Sequence, residues 1–161
     1  MSQLFDVEII CKTEKDTRNL AMDFAKLLPH NSSIALVGDL GTGKTTFVGG
    51  LARGLGIADT VRSPSFNILN IYSSNVPLLH IDAYRLDGSE QAMEALMLND
   101  LLVPPYYLAV EWPERLYNFL ETCTFKVIFS MNGDFSRTIR IRKIRQPSRS
   151  IFSQGTNFER P

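Results

Sequence analysis

Eight consecutive residues, Gly38-Asp39-Leu40-Gly41-Thr42-Gly43-Lys44-Thr45, fit the spacing G-x-x-x-x-G-K-[ST] and constrain the fold more than any other segment. They follow the wholly apolar run Ile34-Ala35-Leu36-Val37, which reads as a strand buried on both faces. They precede a helical stretch from Thr45 to Leu55 that Gly54 and Gly56 stop. Strand, glycine loop and helix in that order make a phosphate cradle. The loop backbone turns its N–H groups inward, and the helix presents its positive N-terminal end to the same anion. The expected nucleotide-binding set is Gly38, Asp39, Leu40, Gly41, Thr42, Gly43, Lys44, Thr45 and Thr46. Within it Lys44 reaches the β- and γ-phosphates, and the Thr45 hydroxyl is an expected Mg²⁺ ligand. Such a unit belongs to an α/β protein of the P-loop NTPase fold.

The remaining elements surround this unit. Residues 4 to 11 read as a strand, and Thr13 with Asp16 three positions later reads as a capping box opening a helix with Leu20, Ala21, Phe24, Ala25, Leu27 and Leu28 on one face. Phe66 to Tyr72 and Leu78 to Asp82 read as an antiparallel hairpin, and Ser89 as the cap of a helix through Leu98. Tyr106 to Val110 is a second buried-type strand, followed by a helix from Pro113 to Leu120. Phe125 to Phe129 and Arg137 to Ile144 flank the turn signal Asn132-Gly133. The expected sheet is therefore mixed, with antiparallel strands and flanking helices. The domain runs over residues 1–145, and a Ser-, Gln-, Pro- and Arg-rich tail over 146–161 is expected to be flexible.

A phosphate loop needs carboxylates to complete a magnesium shell and to orient an attacking water. Two apolar strands end in one each, Leu78-Leu79-His80-Ile81-Asp82 and Tyr107-Leu108-Ala109-Val110-Glu111. Ligands collect at the carboxyl ends of strands in an open sheet, which brings Asp82 and Glu111 to the side of the loop. Either one can orient the water, and Glu111 alone can also be read as a cap for the next helix. Ser63 and Ser65 occupy the segment where small NTPases carry γ-phosphate switches. His80 shares a strand face with Asp82 and reads as a packed, hydrogen-bonded histidine or a switch contact. Trp112, the single tryptophan, is either a core residue or an anchor for a base or partner.

The 161 residues carry 17 basic and 17 acidic side chains, but the zero net charge hides a split. Seven basic residues (Arg137, Arg140, Arg142, Lys143, Arg145, Arg149, Arg160) face one acid, Glu159, after residue 134, so the remainder holds ten basic and sixteen acidic groups. Arg140 and Arg142 alternate with Ile139 and Ile141, as on a half-buried strand whose charges discourage edge pairing. Continuation of the charge through Arg145, Arg149 and Arg160 makes the C-terminal segment a candidate contact for RNA or an acidic surface. No apolar run approaches the roughly 18 residues of a membrane span, and the N-terminus lacks a signal-peptide layout, so a cytoplasmic protein is expected. Cys11 and Cys123 form no metal-binding pattern and read as packing residues.

Four segments together resemble the TsaE (formerly YjeE) family. They are Gly38 to Thr46, Val61-Arg62-Ser63-Pro64-Ser65-Phe66, His80-Ile81-Asp82-Ala83-Tyr84-Arg85-Leu86 and Val110-Glu111-Trp112-Pro113-Glu114-Arg115. The resemblance spans roughly residues 10 to 145 and is far more specific than the loop alone. It implies ATP binding and slow hydrolysis in support of a TsaD–TsaB complex, which transfers a threonylcarbamoyl group to A37 of tRNAs reading ANN codons. It also implies that Lys44 binds phosphate, that Thr45 and Glu111 ligate Mg²⁺, that Asp82 is a catalytic or metal-linked carboxylate, and that Trp112 matters within the assembly. Ser65 departs from the Thr usual in the family.

Three functional classes follow. A partner-dependent ATPase leads; without a clear arginine finger it turns over slowly alone, although Arg85 and Arg62 are candidates. A nucleotide-gated binding module is the alternative. A small-molecule kinase is disfavoured because the chain after Gly56 leaves no acceptor module or Arg-rich lid. No N-K-x-D guanine signature is present, which favours ATP over GTP.

Overall fold

The structure, a computed structural model, describes residues 6–64 and 66–147. Ser65 and the tail from 148 onward, with Arg149 and Arg160, lie outside the described residues. Seven strands form one sheet: β1 (Asp6–Cys11), β2 (Ser32–Val37), β3 (Leu69–Tyr72), β4 (Leu78–Asp82), β5 (Tyr107–Glu111), β6 (Phe125–Met131) and β7 (Arg137–Lys143). Their spatial order is β1-β7-β6-β2-β5-β4-β3. The four central strands β6, β2, β5 and β4 run parallel, and β7, β1 and β3 add antiparallel pairs at the two sides. The mixed sheet and the β3–β4 hairpin match the sequence expectation.

Helix α1 (Glu14–Ala25) begins with the expected capping box. The Asp16 amide donates to Thr13 Oγ1 at 3.1 Å, and the Thr13 amide donates to Asp16 Oδ2 at 2.9 Å. Helix α2 (Lys44–Gly54) lies against α1 on one face of the sheet, over a core that includes Phe24, Phe47, Leu51, Leu36, Val127, Ile139 and Ile141. Gly54 is the last helical residue rather than a stop, because the two helices approach through small residues. A Cβ on Gly50 would sit 2.5 Å from the Arg18 carbonyl oxygen and 2.6 Å from Ala21 Cβ, and one on Gly54 would sit 2.6 Å from Ala25 Cβ. Backbone atoms of α1 cannot move aside cheaply. Gly50→Ala is therefore expected to destabilise the protein by about 2 kcal/mol, although alanine has a helix propensity roughly 1 kcal/mol better than glycine. A melting temperature unchanged or raised in thermal denaturation would contradict this packing.

On the other face lie α3 (Glu90–Ala95), α4 (Leu98–Leu101) and α5 (Phe119–Thr122), over a second core with Leu79, Ile81, Leu108, Val110, Leu98, Tyr106, Phe119 and Cys123. The single helices expected over 89–98 and 113–120 are each broken. Met97 (φ 50°) separates α3 from α4, and Asn118 (φ 53°) separates a one-turn 3-10 helix at Pro113–Arg115 from α5. Left-handed backbone at those points ends the helical hydrogen-bond run. The strand expected from Phe66 starts instead at Leu69, since Asn67 and Ile68 both donate to the Pro64 carbonyl in a turn. The Asn132-Gly133 signal belongs to a five-residue connection over 132–136, closed by the Asn132 amide donating to the Ser136 carbonyl at 2.8 Å.

β7 is half-buried as expected, with Ile139 and Ile141 inward and Arg140 and Arg142 exposed, but its charged face does not place it at an edge: it lies between β1 and β6, and β1 forms the edge. Arg140 holds Asp6 of β1 through two 2.8 Å bonds. That pairing pulls the Asp6 carboxyl below its ordinary value. Both cysteines are free and buried, and burial pushes the Cys123 thiol up to about 11. No helix among the described residues is long and apolar enough to cross a membrane.

Candidate functional site

The loop over 38–43 joins the end of β2 to α2. Gly43 adopts φ +100°, a conformation costly for any residue with a Cβ, and from it α2 starts with no side-chain cap and no acid in its first turn. The contrast with α1 is chemical. There a threonine and an aspartate satisfy the first amides, whereas at α2 the leading N–H groups lack a side-chain acceptor and face the cleft. An anion completes such a helix terminus.

Lys44 is 5% exposed, and its Nζ donates to the carbonyls of Gly38 (2.6 Å) and Asp39 (2.7 Å), curled back onto its own loop. The ammonium also lies 4.5 Å above the Trp112 ring. Burial pulls the Lys44 pKa below its ordinary value, while Glu111, Asp82, Glu114 and Asp39 oppose that shift. A polyanion entering the cleft stabilises the charged form further.

The two strand-end carboxylates arrive side by side, because β4 and β5 are parallel and pair Asp82 with Glu111. Glu111 is buried and its Oε1 is shared: the Thr45 hydroxyl donates to it at 2.7 Å, and His80 Nε2 lies 2.9 Å away. His80 is fully buried beneath the site, with its ring stacked on Tyr72. Asp82 accepts from Ser63 Oγ and from the Tyr84 amide, each at 3.1 Å. Trp112 has φ 55°, a strained conformation for a bulky residue, and packs its indole between Lys44 and Tyr84.

These groups line a cleft of about 540 Å³, together with Leu40, Gly41, Gly43, Thr46 and Arg85. The sequence candidates Lys44, Thr45, Asp82, Glu111, Ser63, Arg85 and Trp112 therefore converge in one place, with His80 buried beneath it. Arg85 lines the wall, but its guanidinium lies 5.4 Å over the exposed Phe66 ring. Three further wall residues were not singled out in the sequence: Glu14 on α1, Tyr84 and Arg137. Glu14 carries no distinguishing signal, whereas Tyr84 lies within the His80–Leu86 segment of the family resemblance. Arg137 shares the inward face of β7 with Ile139 and Ile141, a face defined only once α1 and α2 cover it.

A magnesium ion fits the donor chemistry. Thr45 Oγ1 and Glu111 Oε1 are hard oxygen donors already in contact at the foot of α2. Among the described residues no cluster of three or more His, Cys, Asp and Glu forms an all-protein cage. Mg²⁺ bound by one or two protein oxygens plus phosphate and water has this requirement.

The family model of the threonylcarbamoyl adenosine biosynthesis protein TsaE matches residues 11–139. The TsaE protein of Treponema pallidum is 31% identical over 132 residues, covering 82% of this chain and 97% of the relative. That of Bacillus subtilis is 35% identical over 126 residues, covering 78% of each. The crystal structure of Bacillus subtilis YdiB superposes with a TM-score of 0.71 at 27% identity over 90% of both chains. With the match spanning from the last residue of β1 into β7, and so enclosing the whole cleft, the chain belongs to the TsaE family of tRNA threonylcarbamoyladenosine biosynthesis.

Proposed function

We propose that this protein is a magnesium-dependent ATPase required for threonylcarbamoyladenosine formation at A37 of tRNAs reading ANN codons, acting with TsaD and TsaB. The observation that carries the reading is the uncapped start of α2, which opens with Lys44 and Thr45 and lines one cleft with Glu111, to which the Thr45 hydroxyl donates. Lys44 exchanges its two loop carbonyls for phosphate oxygens, so its ammonium moves from neutral acceptors to charged ones. Thr45 and Glu111 hold the cation, which when bound neutralises charge spread over the phosphate oxygens. His80 keeps Glu111 oriented from below. Asp82, fixed by Ser63 and the Tyr84 amide, accepts a hydrogen bond from the attacking water and places its oxygen in line. Trp112 and Tyr84 wall the site against bulk water.

The two arginine-finger candidates are poorly aimed for the reacting end: Arg85 is engaged with Phe66, and Arg62 is exposed. Slow turnover by the isolated chain follows, with acceleration when a partner closes the cleft. Phosphate release measured with purified protein should be slow, lost on chelation of magnesium, and raised by TsaD–TsaB. No hydrolysis in any of these mixtures, or transfer of phosphate to a metabolite, would contradict the reading.

A further inference from the structure

Arg137 occupies the one position of β7 where the inward, apolar face meets the phosphate loop. Along β7 the residues Arg137, Ile139 and Ile141 point to the side covered by α1 and α2, while Arg140 and Arg142 point to the open side. A charged side chain on a helix-covered face needs acceptors, and Arg137 is short of them. Its Nε is buried with no hydrogen-bond partner among the described residues, and its Nη1 reaches only Thr17 Oγ1, at 3.4 Å. The guanidinium lies against the loop: a methyl placed on Gly43 would be 3.6 Å from both Cδ and Nη1 of Arg137. It also lines the cleft together with Glu14 and Thr46.

The sheet order indicates which part of a nucleotide would meet it. Lys44 aside, the groups of the reacting end, Thr45, Glu111 and Asp82, lie toward β5 and β4, on one side of β2. β6 and β7 lie on the other side, so a phosphate chain whose terminal group faces Asp82 and Glu111 leaves the loop toward Arg137. We infer that Arg137 binds the nucleoside-proximal end of the nucleotide, donating from its guanidinium, including the orphaned Nε, to the α-phosphate. A guanidinium fork suits phosphate oxygens, and a negatively charged acceptor is what the buried donor lacks. This assignment rests on the nucleotide reading of the cleft.

The test compares magnesium complexes of ATP, ADP and inorganic tripolyphosphate by calorimetric titration into wild type, Arg137→Gln and Arg137→Lys. Arg137→Gln should weaken ATP, ADP and tripolyphosphate by a similar factor, on the order of tenfold, because tripolyphosphate also places a phosphate at the α position. Arg137→Lys, which retains the charge but not the fork, should recover part of the loss. Weakening of ATP and tripolyphosphate with ADP unchanged would move Arg137 to the terminal phosphate and overturn the assignment. Weakening of ATP and ADP with tripolyphosphate unchanged would move the contact from the α-phosphate to the nucleoside and overturn it, as would weakening of none. If wild type bound none of the three, the nucleotide reading itself would fail, a result distinct from a failure confined to the Arg137 variants. A ligand-free melting temperature unaltered in Arg137→Gln separates lost contact from lost fold.

Discussion

Lys44→Ala is expected to weaken ATP binding at least a hundredfold and to abolish hydrolysis, while the protein stays folded. What Lys44 does without ligand sets the size of both effects. Its ammonium is buried at 5% exposure and satisfied only by two loop carbonyls and the face of Trp112, so the ligand-free fold gains little from it. With ligand, it supplies two hydrogen bonds to charged oxygens, each worth roughly 1.5–3 kcal/mol. A loss of about 3 kcal/mol corresponds to about a hundredfold in affinity. Titration of ATP with the variant measures the first part, and thermal melting the second. Near-normal affinity would show that the cleft holds its ligand elsewhere.

Asp82→Asn is expected to separate binding from turnover. The asparagine keeps an acceptor oxygen for the Tyr84 amide but loses the charge that can accept a proton from water. A positioned carboxylate contributes roughly a hundredfold or more to such a step, so hydrolysis should fall by at least about that factor. ATP affinity should change little, because the hydrogen bonds of Asp82 run to Ser63 and the Tyr84 amide. Glu111→Gln should behave differently: it disturbs the Thr45 contact and should raise the magnesium concentration needed for binding. Single-turnover phosphate release across a magnesium series distinguishes the two. Full hydrolysis by Asp82→Asn with none by Glu111→Gln would transfer the water-orienting role to Glu111.

The parts of this site that were legible in the sequence are those encoded locally. The run from Ile34 to Thr46 carries its own strand, turn and helix signals, and the carboxylates at Asp82 and Glu111 each close an apolar strand. Their adjacency was also readable, because parallel strands bring their carboxyl ends to one side. The position of β7 was not, since a strand's neighbours depend on pairings distant in sequence, and its alternating arginines resemble an edge. Arg137 was missed for the same reason: the inward face of that strand is defined only once α1 and α2 cover it. Gly54 was misread because a glycine that permits helix contact has the same sequence signal as one that ends a helix. The break at Met97 carries no local signal, and that at Asn118 only the tolerance of asparagine for left-handed backbone.

The most direct test of the account is nucleoside analysis of bulk tRNA from cells depleted of this protein and complemented with wild type, Lys44→Ala or Asp82→Asn. Threonylcarbamoyladenosine should be lost on depletion, restored by wild type, and not restored by either variant expressed at wild-type level. Restoration by both variants would contradict the claim that ATP hydrolysis in this cleft supports the modification, and an unchanged nucleoside after depletion would contradict the function itself.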